Sequence, residues 1–144
     1  MTLTDAQQAI IVAGLNSGFR VMREYPVVFW DTLKYGLVDV AWFRGESRIP
    51  HVLFEIEGVN VPLASLEGDL RKFRWGGARH NVIFLYTHRN GNPLVSADLE
   101  AADLVHDRLV ALTSEQPVPE LLLPNAFAAE ELLITRVQEE WGDA

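Results

Sequence analysis

The spacing of apolar side chains changes period several times along the chain, and each change marks an element. Residues 3–19, LTDAQQAIIVAGLNSGF, carry apolar positions at helical spacing, with Thr4 as the expected N-cap and Gly18 near the stop. RVMREYPVVFW, residues 20–30, is rich in β-formers but interrupted by Pro26, which predicts an edge strand or two short pieces. YGLVDVAWF (35–43) and HVLFEIE (51–57) read as strands, joined by the polar loop RGESRIP. Helical spacing returns over residues 61–77, where Pro62 opens the helix and Gly76 and Gly77 close it. HNVIFLYT (80–87) is a continuous apolar run, as expected of a strand covered on both faces. Residues 96–112 and 125–141 read as helices, separated by the proline-punctuated connection SEQPVPELLLP. Helix, three strands, helix, strand and then helices make a mixed α/β (α+β) sheet flanked by helices, unlike the strict alternation of a doubly wound fold.

Glu55 and Glu57 project from one face of the third strand, about 7 Å apart. Antiparallel pairing of LVDVAWF with HVLFEIE around Ser47 sets Val38 opposite Ile56, Val40 opposite Phe54 and Trp42 opposite Val52, giving a wholly apolar face. The same register puts Asp39 opposite Glu55, with Glu57 on that face beside Leu37. Carboxylates opposed across a sheet repel, so three of them call for a cation or for shared protons. Mg²⁺ suits such a patch, because it takes oxygen ligands and commonly uses only one or two carboxylates with water and substrate phosphate.

A chain of 144 residues, 49% hydrophobic, has the size of one ordinary domain, and a single domain over 1–144 is expected. It has no cysteine, so disulfides and thiolate metal sites are excluded and any metal falls to carboxylate or histidine. No H-x-x-x-H spacing exists to suggest zinc. The apolar run AIIVAGL is too short and interrupted for a signal peptide or membrane span, and no basic cluster precedes it. A soluble cytoplasmic protein with no membrane partner is therefore expected. The net charge of −8 is unevenly spread: residues 1–90 hold ten Lys and Arg against nine Asp and Glu, and residues 91–144 hold two against eleven. The first part keeps RKFRWGGARH, with Arg71, Lys72, Arg74 and Arg79 around Trp75. That segment reads as a phosphate-facing patch or as an ordinary solvated helix face.

VDVAW on the second strand and FEIEG on the third, with EYP upstream and NVIFLY downstream, resemble the PD-(D/E)XK nuclease superfamily over residues 4–90. The resemblance implies a restriction-endonuclease-like αβββαβ core, to which residues 96–144 add acidic C-terminal helices. It implies a metal-dependent nuclease that hydrolyses phosphodiester bonds, with DNA as the expected nucleic-acid partner and Mg²⁺ or Mn²⁺ as cofactor. Asp39 and Glu55 match the metal-binding acids, and the backbone carbonyl of Ile56 matches a position that also contributes to the metal. Glu57 stands where the family usually has Lys, the residue proposed to orient or activate the attacking water and to stabilise negative charge. Some members carry Glu there, as a base or a further ligand, so Asp39, Glu55 and Glu57 form the expected catalytic set. A displaced Lys is the other remedy, and Lys72 is the candidate. Helical phase argues against it: Leu63, Leu66, Leu70 and Phe73 form the apolar stripe, and Lys72 lies nearly opposite, in solvent. Arg74, Glu67 and Asp69 flank the stripe more closely, and Glu24 in REYP is placed to approach from the first strand.

The remaining polar and aromatic residues have plainer readings. His51 reads as a packed or surface histidine, His80 and His88 as loop histidines bracketing a strand, and His106 as surface. WGG lacks the G-K-[ST] ending of a phosphate loop and marks a helix stop. Trp30, Trp42 and Trp141 read as core or interface residues rather than base-stacking platforms. An apolar stripe from Phe127 through Leu133 and Val137 to Trp141 packs either on its own sheet or on a second copy as a homodimer. The alternative function is a catalytically inactive nuclease-fold domain that acts as a protein-interaction or dimerisation module, meeting its partner through the acidic C-terminal helices.

Overall fold

Thr2, and not Thr4, starts the first helix. Its hydroxyl accepts the Asp5 N–H at 3.1 Å while the Asp5 carboxylate accepts the Thr2 N–H at 3.0 Å, a reciprocal cap that satisfies two orphan donors. The computed structural model describes residues 1–87, 94–125 and 128–142. In chain order the elements are α1 (Leu3–Asn16), β1 (Arg20–Phe29), β2 (Lys34–Phe43), β3 (Val52–Gly58), α2 (Leu63–Gly76), β4 (His80–Tyr86), α3 (Ser96–Leu112), β5 (Glu120–Leu122) and α4 (Ala129–Arg136). A π-helical turn, Val137–Trp141, continues α4.

The strands form one mixed sheet in the order β1-β2-β3-β4-β5. β1–β2 and β2–β3 pair antiparallel, β3–β4 and β4–β5 parallel. Pro26 does not divide β1, which lies at the sheet edge, where a missing N–H is tolerated. β5 corrects the expectation of purely helical C-terminal structure: Glu120–Leu122, from the supposed connection, pairs with Val82–Phe84. Three residues set between prolines are too few to show a period.

Helices cover both faces. On one, α1 and α4 bury Ile10, Ala13, Leu133 and Trp141 against Val40, Trp42, Phe54 and Phe84. On the other, α2 and α3 bury Leu66, Phe73, Val105 and Leu109 against Ala41, Phe43, Leu53 and Ile83. Leu133, Val137 and Trp141 thus pack on their own sheet; Phe127, named with them, lies outside the described residues. No helix of the described residues is long and apolar enough to cross a membrane.

The expected register between β2 and β3 holds at Val40–Phe54, Ala41–Leu53 and Trp42–Val52, and the ladder ends there. The β1–β2 hairpin is broken at the same level: Arg23 pairs with Val40 and Tyr25 with Val38, but Glu24 between them has φ +52° and makes no pair with Asp39. Either side of this break the strands present opposite faces. Val21, Val40 and Trp42 face α1, whereas Tyr25, Val27, Phe29 and Val38 face α2. Val38 therefore does not share a face with Val40, Trp42 and Ile56, as strict alternation predicts. The break leaves β2 and β3 splayed at Asp39 and Glu55.

Candidate functional site

Where the ladder ends, a side chain takes over from the backbone: Asp39 Oδ2 accepts the Ile56 N–H at 2.7 Å. Gln7 of α1 holds the other side of this junction, its Nε2 donating to the Asp39 carbonyl at 3.1 Å and to Glu24 Oε1 at 3.4 Å. Glu24 thus does reach the site from β1. Glu55, next along β3, turns toward α2 and is buried. Glu57, two residues on, is half-buried and lines a cavity of about 230 Å³ with Val59, Val61, Pro62 and Ser65.

Lys72 is at the site and not in solvent. Its Nζ donates to Glu55 Oε1 at 3.1 Å and to the Leu37 carbonyl at 3.0 Å, and stands 4.0 Å from Asp69 Oδ1. The stripe used for the helical phase was misplaced. Leu63 is 45% exposed while Asp69 is buried, so the covered arc is Leu66, Asp69, Leu70 and Phe73, rotated toward Lys72. The long stem covers the rest, passing over Gly36 of β2, where a Cβ would lie 3.2 Å from Lys72 Cγ and Cδ. Asp69 and Gln7 are the other site residues that strand alternation does not reveal. A lone acid inside an apolar helical arc was the available signal for Asp69.

Burial dominates the electrostatics. It pushes the Glu55 carboxyl up, to about 10, with Asp39 and Asp69 adding to the rise and Lys72 opposing it. Asp69 rises to about 7, first from burial and then from Glu57. Asp39 is raised by burial against the Ile56 N–H and Lys72, and Glu57 by burial and Asp39. Burial disfavours charge on Lys72, but Glu55, Asp69 and Asp39 outweigh it and its value is raised. Lys72 Nζ, 3.1 Å from Glu55 Oε1 and 4.0 Å from Asp69 Oδ1, offsets charge on this pair of buried acids.

Oxygen is the only donor type here, and Asp69 Oδ2 is buried without a hydrogen-bond partner. Among the described residues no set of three or more His, Asp or Glu side chains is arranged to hold a metal ion. The donor chemistry still fits Mg²⁺, which needs only one or two carboxylates from the protein.

The basic segment after Glu67 is dispersed. Arg71 packs over the Phe29 ring and pairs with Asp31, Lys72 joins the acids, and Arg79 lies just before β4, lining a cavity with Arg44 and His51. His51 is buried, with its Nε2 at the Trp141 carbonyl, and His80 opens β4 and meets it edge to face. His106 is exposed, and His88 lies outside the described residues. Trp42 and Trp141 are core, but Trp30 is 68% exposed. Comparison with protein-family models, curated proteins and solved structures gives no match to this chain.

Proposed function

We propose that the chain is a metal-dependent nuclease of the PD-(D/E)XK kind, hydrolysing phosphodiester bonds in DNA, with its catalytic lysine supplied by α2. The observation that carries this reading is the 3.1 Å contact of Lys72 with Glu55. It returns to the site the positive charge that Glu57 cannot provide. Asp39 and Glu55 would hold Mg²⁺ or Mn²⁺, which when bound lowers the pKa of a water and offsets charge on the scissile phosphate. Asp39 is oriented for this by the Ile56 N–H, and Glu55 by Lys72. Glu57, half-buried at the mouth of the cluster with a raised pKa, is the group placed to accept a proton from water. Lys72, with Asp69 beside it, would stabilise negative charge developing on phosphate oxygens.

The test is cleavage of labelled single-stranded, double-stranded and branched DNA, and of RNA, with Mg²⁺ or Mn²⁺. Cutting abolished by Asp39→Ala and Glu55→Ala, and lowered at least about 100-fold by Lys72→Met, supports the proposal. The pairing of Glu55 with Lys72, and the lack among the described residues of three acids arranged for a metal, favour a second reading, an inactive interaction domain. A folded wild type that cuts none of these substrates selects it.

A further inference from the structure

The end of β2 meets the starts of β3 and β4 through two backbone bonds. The His51 N–H donates to the Trp42 carbonyl at 2.7 Å and the His80 N–H to the His51 carbonyl at 3.0 Å, so Arg44, just after β2, and Arg79, just before β4, come to one place. With Ser47, Ile49, Pro50 and His51 they line a cavity of about 360 Å³. The loop that walls it is held in shape. Arg20 donates to the Gly45 and Ser47 carbonyls at 3.2 and 2.6 Å, and Ser47 Oγ bonds both the N–H and the carbonyl of Ile49 at 3.2 Å. Arg44 is five residues along β2 from Asp39, about 17 Å, so this cavity is separate from the acid cluster.

Its charge runs against that of the chain. The net charge is −8, yet no acid is among the residues that line the cavity. Arg44 Nη2 reaches the Trp141 carbonyl at 3.5 Å, and its Nε is buried with no hydrogen-bond partner. Among the described residues the exposed Arg79 side chain makes no hydrogen bond or ion pair. Glu120 and Glu140, which share an adjoining cavity with Arg79, both pair with Arg136. Burial first, with Arg44 and Arg79 adding to it, holds His51 and His80 below the usual histidine range. A buried guanidinium N–H without a partner costs free energy that an oxyanion recovers.

We infer that this cavity is an oxyanion site that takes the terminal phosphate of a small phosphate ester. Two guanidiniums match the two charges of a phosphate monoester, where a carboxylate or a phosphodiester carries one, and each offers its donors in a planar fork. Ile49, 65% exposed, and Pro50 give the organic part of the ester an apolar surface. The volume falls within the roughly 300–1,000 Å³ of small-ligand sites, at the end that suits a phosphate with few carbons.

Inorganic phosphate is the first probe, titrated into the full chain beside acetate at matched ionic strength and read by the unfolding midpoint and the imidazole resonances of His51 and His80. Phosphate should raise the midpoint saturably and shift both resonances, while acetate does neither. Arg79→Gln should weaken phosphate by about 10-fold or more and, because that side chain is exposed, leave the midpoint of the ligand-free protein unchanged. Glycerol phosphate should bind at least as tightly as inorganic phosphate. No saturable response, an equal response to acetate, or full affinity in Arg79→Gln overturns the inference. So does phosphate binding that appears only in Asp143→Asn, which would assign the cavity to a carboxylate of the chain itself. A 5′-phosphorylated oligothymidylate that binds more tightly than both glycerol phosphate and its own unphosphorylated form overturns the small ester and assigns the phosphate to a strand end. None of these readouts depends on cleavage.

Discussion

Asp69 and Glu55 are two carboxyls held together in a place that disfavours charge on either. Asp69 is raised from 3.8 to about 7 by burial first, and Glu55 to about 10. A carboxyl raised on folding keeps its proton where the unfolded chain has lost it. Its contribution to stability is full below the unfolded value and is lost as pH rises through the folded one. The unfolding midpoint in EDTA should therefore fall between about pH 5 and about pH 8, with Asp69 responsible for the portion up to about 7. Asp69→Asn removes that portion, so the variant should be the more stable protein at about pH 8 and show a flatter profile. Scanning calorimetry of both proteins across this range is the check, and a wild-type midpoint that rises with pH contradicts the raised carboxyls. Mg²⁺ at about pH 8 should reverse part of the wild-type loss, because a bound cation favours the ionised acids. Strand alternation and the strand register make Asp39, Glu55 and Glu57 visible in the sequence. Lys72 and Asp69 escape the same reasoning because a helix of fourteen residues offers several apolar arcs, and only tertiary contact shows Leu63 to be outside the one that is used.

At the scale of elements, two helical glycines separate propensity from packing. Alanine in a helix interior is favoured over glycine by about 1 kcal/mol when nothing else changes. Gly68 in α2 has open space where a Cβ would go, so Gly68→Ala should raise stability by about that amount. Gly14 in α1 lies against the Trp42 indole, which is fully buried and donates from Nε1 to the Ile10 carbonyl at 3.2 Å. A Cβ there meets a ring with nowhere to move, and overpacking costs about 1–3 kcal/mol. Gly14→Ala should thus lower stability by about 1 kcal/mol or more despite its better propensity, as read by urea unfolding of the two variants side by side. The same contrast explains which elements were legible. α3 and β4 follow from periodicity alone, because their patterns are long and uniform. The turnover of faces at Glu24 and Asp39 does not, because a backbone break resets the alternation without changing the residues on either side. β5 owes its place to the exposed edge of β4 and not to its own three residues.

For the whole molecule, the charge split is plain in the sequence, but its consequence depends on where the fold puts the acids. α3 lies over the α2 face and α4 over the α1 face, and both turn acids outward: Glu100, Asp103 and Asp107 on one, Glu130 and Glu131 on the other. Both flanks of the sheet therefore repel a phosphate backbone. The β1–β2 hairpin carries exposed cations outside those flanks, Lys34 near its tip and Arg23 farther along β1, with exposed Arg71 of α2 beside Asp31. A strand bound there meets few cations. Each phosphate neutralised on a single strand contributes about −0.7 to the slope of log affinity against log salt, so three contacts predict a slope of about −2. Lys34→Glu and Arg23→Glu should each make that slope shallower by about 0.7. A much steeper slope, unaffected by either substitution, would place the strand on another surface, and the ends of β2 and β4 that carry Arg44 and Arg79 offer the next basic group. A titration of oligonucleotide affinity over salt concentration thus locates the bound strand: only on the hairpin does a shallow slope go together with dependence on Lys34 and Arg23.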